Sequence, residues 1–130
     1  MRRMRWTIPF LALVALLSFS VTAQASGVET VAQLTSSAKY PGVNGKAVYR
    51  VDSATDRRLE VEIEDAGRLA GVKLIVMVDG KRFGTMTVNS LGYAEIEHET
   101  ERSQAVPMIT ADSVVRVKTV AGVLVARGTF

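Results

Sequence analysis

Two glutamate rows, one aspartate pair and a single histidine are the residues of this 130-residue chain whose types and spacing could do chemistry. Glu60, Glu62 and Glu64 recur at every second position, and so do Glu95, Glu97 and Glu99. On a strand that spacing puts each row on one face, with neighbours about 6.5–7 Å apart. Carboxylates at that separation can serve a glycosidase or gather a cation. A glycosidase also needs a cleft and aromatic platforms for sugars. Beyond the first 25 residues the chain offers only Tyr40, Tyr49, Phe83, Tyr93 and Phe130, several of which a core would take. Both rows read more plainly as wet sheet faces, where blunt charge alternation is ordinary. Asp52 and Asp56 share a loop that does not match the D-x-[DN]-x-[DN]-G calcium pattern. They suit a turn held by local aspartate hydrogen bonds.

His98 is the only histidine, and there is no cysteine. A serine hydrolase would therefore depend on His98 as its base. The segment Asn89-Ser90-Leu91-Gly92 lacks the first glycine of a G-x-S-x-G elbow. As a metal ligand His98 is flanked by Glu97 and Glu99, which a strand turns to the opposite face. It is expected as a strand-end residue near Phe83. No glycine opens a helix, so no phosphate loop is present. No catalytic, cofactor or metal residue is assigned, and the chain is expected to be a non-enzyme.

The elements that position these residues follow a leader. MRRMRW supplies three arginines, an apolar run follows over residues 8–21, and Ala23-Gln24-Ala25 ends it. A basic start, an apolar middle and an A-x-A end make a secretory signal peptide over residues 1–25. The run is shorter than the ~20 residues of a spanning helix, and Pro9 interrupts it. No cysteine follows to carry a lipid, and no second run is long enough to span. Export to the periplasm or the medium is expected, with no membrane span after cleavage. Losing Arg2, Arg3 and Arg5 takes the 16 basic residues to 13, level with the 13 acidic ones. The net charge of +3 thus belongs to the leader. A nucleic-acid partner is not expected, because binding one ordinarily needs a basic excess on the domain.

The best-specified stretch runs over residues 73–98: KLIVMV, Asp79-Gly80, KRFGTMTV, NSLG, YAEIEH. Asp-Gly between apolar runs signals a type I′ hairpin, which needs positive φ at both turn residues. Pairing outward from the turn sets Val78 with Lys81, Val76 with Phe83 and Leu74 with Thr85. The other face then takes Met77 with Arg82, Ile75 with Gly84 and Lys73 with Met86. Residues 74–78 are apolar on both faces, as a doubly covered strand would be. Ile75, Met77 and Met86 are therefore the candidate interaction face, with residues 100–112 as a candidate interaction loop.

Elsewhere, Leu59, Val61 and Ile63 alternate with glutamates. A hairpin with residues 46–52 would oppose Arg50 to Glu60, Val48 to Glu62 and Lys46 to Glu64. Residues 26–44 are expected as an edge strand and connector, although Val28, Val31 and Leu34 also fit a helical spacing. Residues 113–120 and 123–130 close the chain around Ala121-Gly122. That hairpin places Arg116 opposite Arg127, a like-charge pair which a neighbouring Glu95/Glu97/Glu99 strand would relieve. Seven or eight short strands with turn signals every ~8–12 residues indicate a β-sandwich or small barrel. The expectation is an all-β, immunoglobulin-like antiparallel sandwich over residues 45–130, without the Cys and Trp hallmarks of true immunoglobulin domains.

The pattern GKAVYR … RRLEVEIEDA … VDGKRFGTMTVNSLGYAEIE … VRVKTVAGVLVARGTF resembles a family of small exported bacterial all-β proteins with no assigned function. The resemblance spans most of the chain beyond the leader and implies export and an all-β fold. It carries no catalytic residues to transfer. The expected function is a binding or protein-interaction module of the bacterial envelope or medium, its partner another such protein or a second copy. The alternatives are a structural envelope component without a discrete ligand, and a small exported hydrolase built on His98 or the Glu95 row.

Overall fold

A computed structural model describes residues 27–130, so the leader lies outside the described residues. Alternating apolar and polar residues fold as eight strands: β1 (Val28–Ser36), β2 (Asn44–Ser53), β3 (Asp56–Glu64), β4 (Lys73–Val78), β5 (Lys81–Thr87), β6 (Ala94–Glu99), β7 (Val114–Thr119) and β8 (Leu124–Thr129). Every pairing is antiparallel. The strands make one sheet in the order β5-β4-β7-β8-β1-β2-β3-β6. Its two ends, β5 and β6, pack together without a ladder, so the sheet is nearly closed into a barrel. Inward-facing Leu34, Leu59, Val61, Ile63, Leu74, Val76, Val115, Val117 and Val125 fill it and are fully buried.

The fold is all-β and antiparallel, as the alternation implies, but it is not two separate layers. β1 joins the halves. Residues 28–34 pair with β2, and Thr35 and Ser36 then pair with Arg127 and Ala126 of β8. The segment expected at an edge is therefore an interior strand. Its inward Ala32 and Leu34 are buried, which an edge position facing solvent would not have required.

Three registers differ from a simple count outward from the turns. The β2–β3 hairpin closes tightly at Ser53 and Asp56, with an irregularity after Val51. Lys46 therefore faces Glu62, Val48 faces Glu60, and Arg50 faces Arg58. The slip from expectation is two residues, which preserves the buried and wet faces. In the β4–β5 hairpin Asp79 and Gly80 do take positive φ, 50° and 81°. Met77 pairs with Arg82, but Val76 pairs with Gly84, leaving Phe83 as a bulge residue. One extra residue inverts every side chain beyond it. Met86 thus sits opposite Leu74 and is buried in the core, while Ile75 and Met77 stay half-buried on the outer wall. Ile75, Met77 and Met86 do not share a face. A bulge near Val125 likewise puts both Val125 and Ala126 in the core and turns Leu124 to the outside, opposite Lys118.

Arg116 does lie opposite Arg127. The glutamate strand does not lie beside them. β6 pairs with β3 instead, setting Glu95 against Glu62 and Glu97 against Glu60.

The crossing of β1 onto β8 depends on Gly128. A Cβ there would press on the Gln33 carbonyl oxygen, which is backbone and cannot swing away. Gly128→Ala should therefore cost about 1–3 kcal/mol, as overpacking does. The check is urea unfolding, where the midpoint should fall with an unchanged slope. An unaltered midpoint would show that β1 has room to shift.

Candidate functional site

A concavity lies beside β5, where the sheet fails to close. A groove of about 450 Å³ runs between the tip of the β4–β5 hairpin and residues 105–108. Val78, Phe83, Val106, Pro107 and Met108 give it an apolar lining, and Lys81 and Arg82 stand at its rim. Met108 is 69% exposed, so apolar surface reaches the mouth. The volume falls within the range of small-ligand and peptide-side-chain sites.

Both walls are held. Asp79 N–H donates to the Val114 carbonyl, and Val114 N–H donates to Asp79 Oδ1, both at 2.9 Å. The Asp79 carboxylate is thereby partly engaged by backbone, and the rim charge is dominated by Lys81 and Arg82. On the other wall, Arg57 Nη2 donates to the Val106 carbonyl at 2.8 Å. His98 Nδ1 lies 3.2 Å from the Ala105 carbonyl. A carbonyl only accepts, so this contact requires the proton on Nδ1. Gln104 caps the end of β6 by accepting from Glu99 N–H at 2.9 Å.

The structure places His98 as a supporting residue. It faces inward with Leu59, as strand parity requires, and its ring centroid is 4.4 Å from that of Phe83. It does not line the groove, although Phe83 and Ala105, its neighbours, do. Gly84 makes this packing feasible, because a Cβ at that position would collide with Ile96 from β6. Ser90 sits in the turn capped by Asn89 Oδ1. Asp52 is bound to Arg50 Nε at 2.9 Å. Neither forms a hydrogen bond or ion pair with His98 among the described residues.

The two glutamate rows come together instead of standing apart. They form one acidic outer wall on β3 and β6. Its borders are partly neutralised by Lys46 with Glu62 at 3.6 Å and Arg58 with Glu97 at 3.5 Å. Tyr93 Oη donates to Glu62 Oε2 at 2.8 Å. Burial, then that bond to Glu62, then the surrounding carboxylates raise the Tyr93 phenol above its ordinary value. Glu60, in the middle, forms no ion pair among the described residues. Its hydrogen bond with Glu95 holds a proton on it, and burial and the charges of Glu95, Glu62 and Glu97 push it further, from 4.5 up to about 7. No group of three or more metal-ligating side chains is found among the described residues. A second, polar depression of about 300 Å³ lies over Gly45, between Gln33, Lys46 and Glu64. Neither depression is lined by Glu95, Glu97 or Glu99.

Sequence reasoning named residues 100–112 as a candidate loop but missed Lys81, Arg82 and the anchoring Arg57. Its signal was present in the apolar Val106-Pro107-Met108 run. What was absent was the fact that this run lies across from the β4–β5 tip.

Glu60 makes stability depend on pH in a stated direction. The folded chain holds a proton between about pH 4.5 and 7 that the unfolded chain releases. Stability from this group is therefore present at low pH and lost as pH rises through that window. Glu60→Gln should raise the thermal midpoint near pH 8, by an amount within ~1 kcal/mol because the wall is open to solvent. The two proteins should melt together near pH 4. Equal melting at both pH values would mean that Glu60 is not strained.

Comparison with family models, with curated proteins and with solved structures finds no match to this chain.

Proposed function

We propose that this chain is exported, loses residues 1–25, and acts as a non-enzymatic binding or protein-interaction module of the bacterial envelope or medium. The groove beside β5 carries this reading. It combines an apolar floor with a cationic rim, and its lining includes no serine, histidine or cysteine that could act as nucleophile or base. The side chains around it are spent on holding its walls. Arg57 and His98 bond the Val106 and Ala105 carbonyls, and Asp79 bonds Val114. A rigid, preformed site of this kind suits recognition, since little ordering entropy is lost when it is filled. Phe83 and Met108 offer contact area, and Lys81 and Arg82 favour a partner with an apolar anchor next to an acidic group.

The hydrolase alternative gains less support. The Nδ1 atom of His98 is engaged, and Glu95 and Glu97 line neither depression. The leader composition and the resemblance to exported bacterial proteins support export. No helix among the described residues is long and apolar enough to cross a membrane.

Two measurements test this proposal. Mass analysis of the chain recovered from its native host should show a start at Ser26, and an intact Met1 would overturn export. Affinity capture from envelope and medium should then compare the wild type with Lys81→Glu/Arg82→Glu. Both positions are exposed, so the double variant should melt like the wild type. A partner retained by the wild type and lost, by about tenfold or more, from the variant is the expected result. The same proteins captured equally by both would remove the groove from consideration.

A further inference from the structure

The outer surface of this domain is divided by charge, and the division follows the sheet order. Lys73, Arg82, Arg116, Lys118 and Arg127 project from β4, β5, β7 and β8. Glu60, Glu62, Glu95 and Glu97 project from β3 and β6. β7 is third and β3 seventh in the order of eight strands. In a nearly closed ring those two positions lie on opposite sides. Arg116, Lys118 and Arg127 on β7 and β8 therefore face away from the acidic wall, while Arg82 on β5 lies at the side where β5 meets β6.

The cationic wall is not neutralised from within, and the acidic wall only at its borders, by Lys46 on Glu62 and Arg58 on Glu97. Among the described residues, none of the five cations forms an ion pair. Arg116 lies directly opposite Arg127, and Met77 separates Arg116 from Arg82 in the same row. Across the barrel, Glu60 lies opposite Glu97 and forms no ion pair among the described residues. Like charges directly opposite on a sheet are destabilising, so both walls gain from an external counter-charge. The described part of the chain carries 13 basic and 13 acidic residues, so net charge does not oppose the meeting of two copies.

We propose that copies of this chain associate head to tail, the cationic wall of one copy against the acidic wall of the next. A second copy is the partner that satisfies both walls at once. An anionic polymer or membrane would satisfy only the cationic side and leave the acidic wall repelling it. The two walls also share one lattice. Strands lie about 4.8 Å apart and same-face residues about 6.8 Å apart on both, so rows of cations and carboxylates can register. The contact is heterologous, and because the two walls point in opposite directions a simple translation repeats it. Such an interface grows open chains instead of closed dimers. Convex walls meet over a small area, so the association is carried by charge and is sensitive to salt. It does not depend on the groove.

Sedimentation velocity on the chain from Ser26 onward, which contains all eight strands, tests the proposal. At low ionic strength the average mass should rise above the monomer with concentration. At about 0.5 M salt, where screening acts within a few ångströms, it should return to the monomer. Arg116→Gln/Lys118→Gln/Arg127→Gln removes one wall and Glu60→Gln/Glu95→Gln/Glu97→Gln the other. Each variant alone should stay monomeric. Mixed together they should give one-to-one dimers and nothing larger, because each contributes a single intact wall. If the first variant does not fold, Lys73→Gln/Lys118→Gln takes its place. A wild type that is monomeric at every concentration in low salt would overturn the proposal, as would assembly that persists in both variants. A monomeric wild type whose cationic wall binds anionic vesicles or single-stranded nucleic acid would assign that wall to a polyanion instead.

Discussion

The domain depends on β1 pairing twice. For its first seven residues it is a partner of β2, and in its last two it becomes a partner of β8. Without that switch the chain would hold two four-stranded sheets, β5-β4-β7-β8 and β1-β2-β3-β6, related only by apolar contact. With it, backbone hydrogen bonds run from one half to the other and orient each against the other. The switch needs close backbone approach, which Gly128 permits opposite Gln33. The opposite side of the barrel has no such strand. There β5 and β6 meet through Phe83, His98 and Ile96 packed over Gly84, with no ladder between them.

That asymmetry produces both the groove and the charged walls. Where the ladder is missing, the sheet opens into the groove, and residues 105–108 supply one of its walls. Where the ladder is continuous, strands of like charge end up as neighbours, because the topology and not the charge decides which strands pair. Core burial dominates that choice. Fully burying a Val, Leu or Ile side chain is worth ~1.5–3 kcal/mol. An unfavourable pair of solvent-exposed charges costs a fraction of that. The hydrophobic faces thus impose Glu60 on Glu97 and Arg116 on Arg127.

The parts of the fold that were legible in the sequence are those set by neighbours in the chain. The Asp79-Gly80 turn was readable because only positive φ at both residues closes so short a loop. The inward faces of β3 and β7 were readable because alternation has a period of two. Arg116 opposite Arg127 followed from counting back from the Ala121-Gly122 turn. Counting failed where a residue was inserted. Phe83 carries no mark that distinguishes a bulge from a regular strand position, and its insertion moved Met86 from the outer wall into the core. The placement of β6 was unreadable for a different reason. Charge complementarity suggested Arg116 and Arg127 as its neighbours, but exposed charge pairs are too weak to decide pairing.

The sequence by itself determined the class of the fold, most of the faces, the tight hairpins and the absence of a conventional hydrolase motif. Each rests on local chemistry: alternation, turn dihedrals and residue types. The tertiary structure alone decided that β1 is interior, that the two glutamate rows merge into one wall opposite the cationic one, and that Val106 and Met108 meet Lys81 and Arg82 across a groove. These are relations between segments far apart in the chain. They are set by which arrangement buries the most apolar surface, and no short-range pattern encodes that outcome.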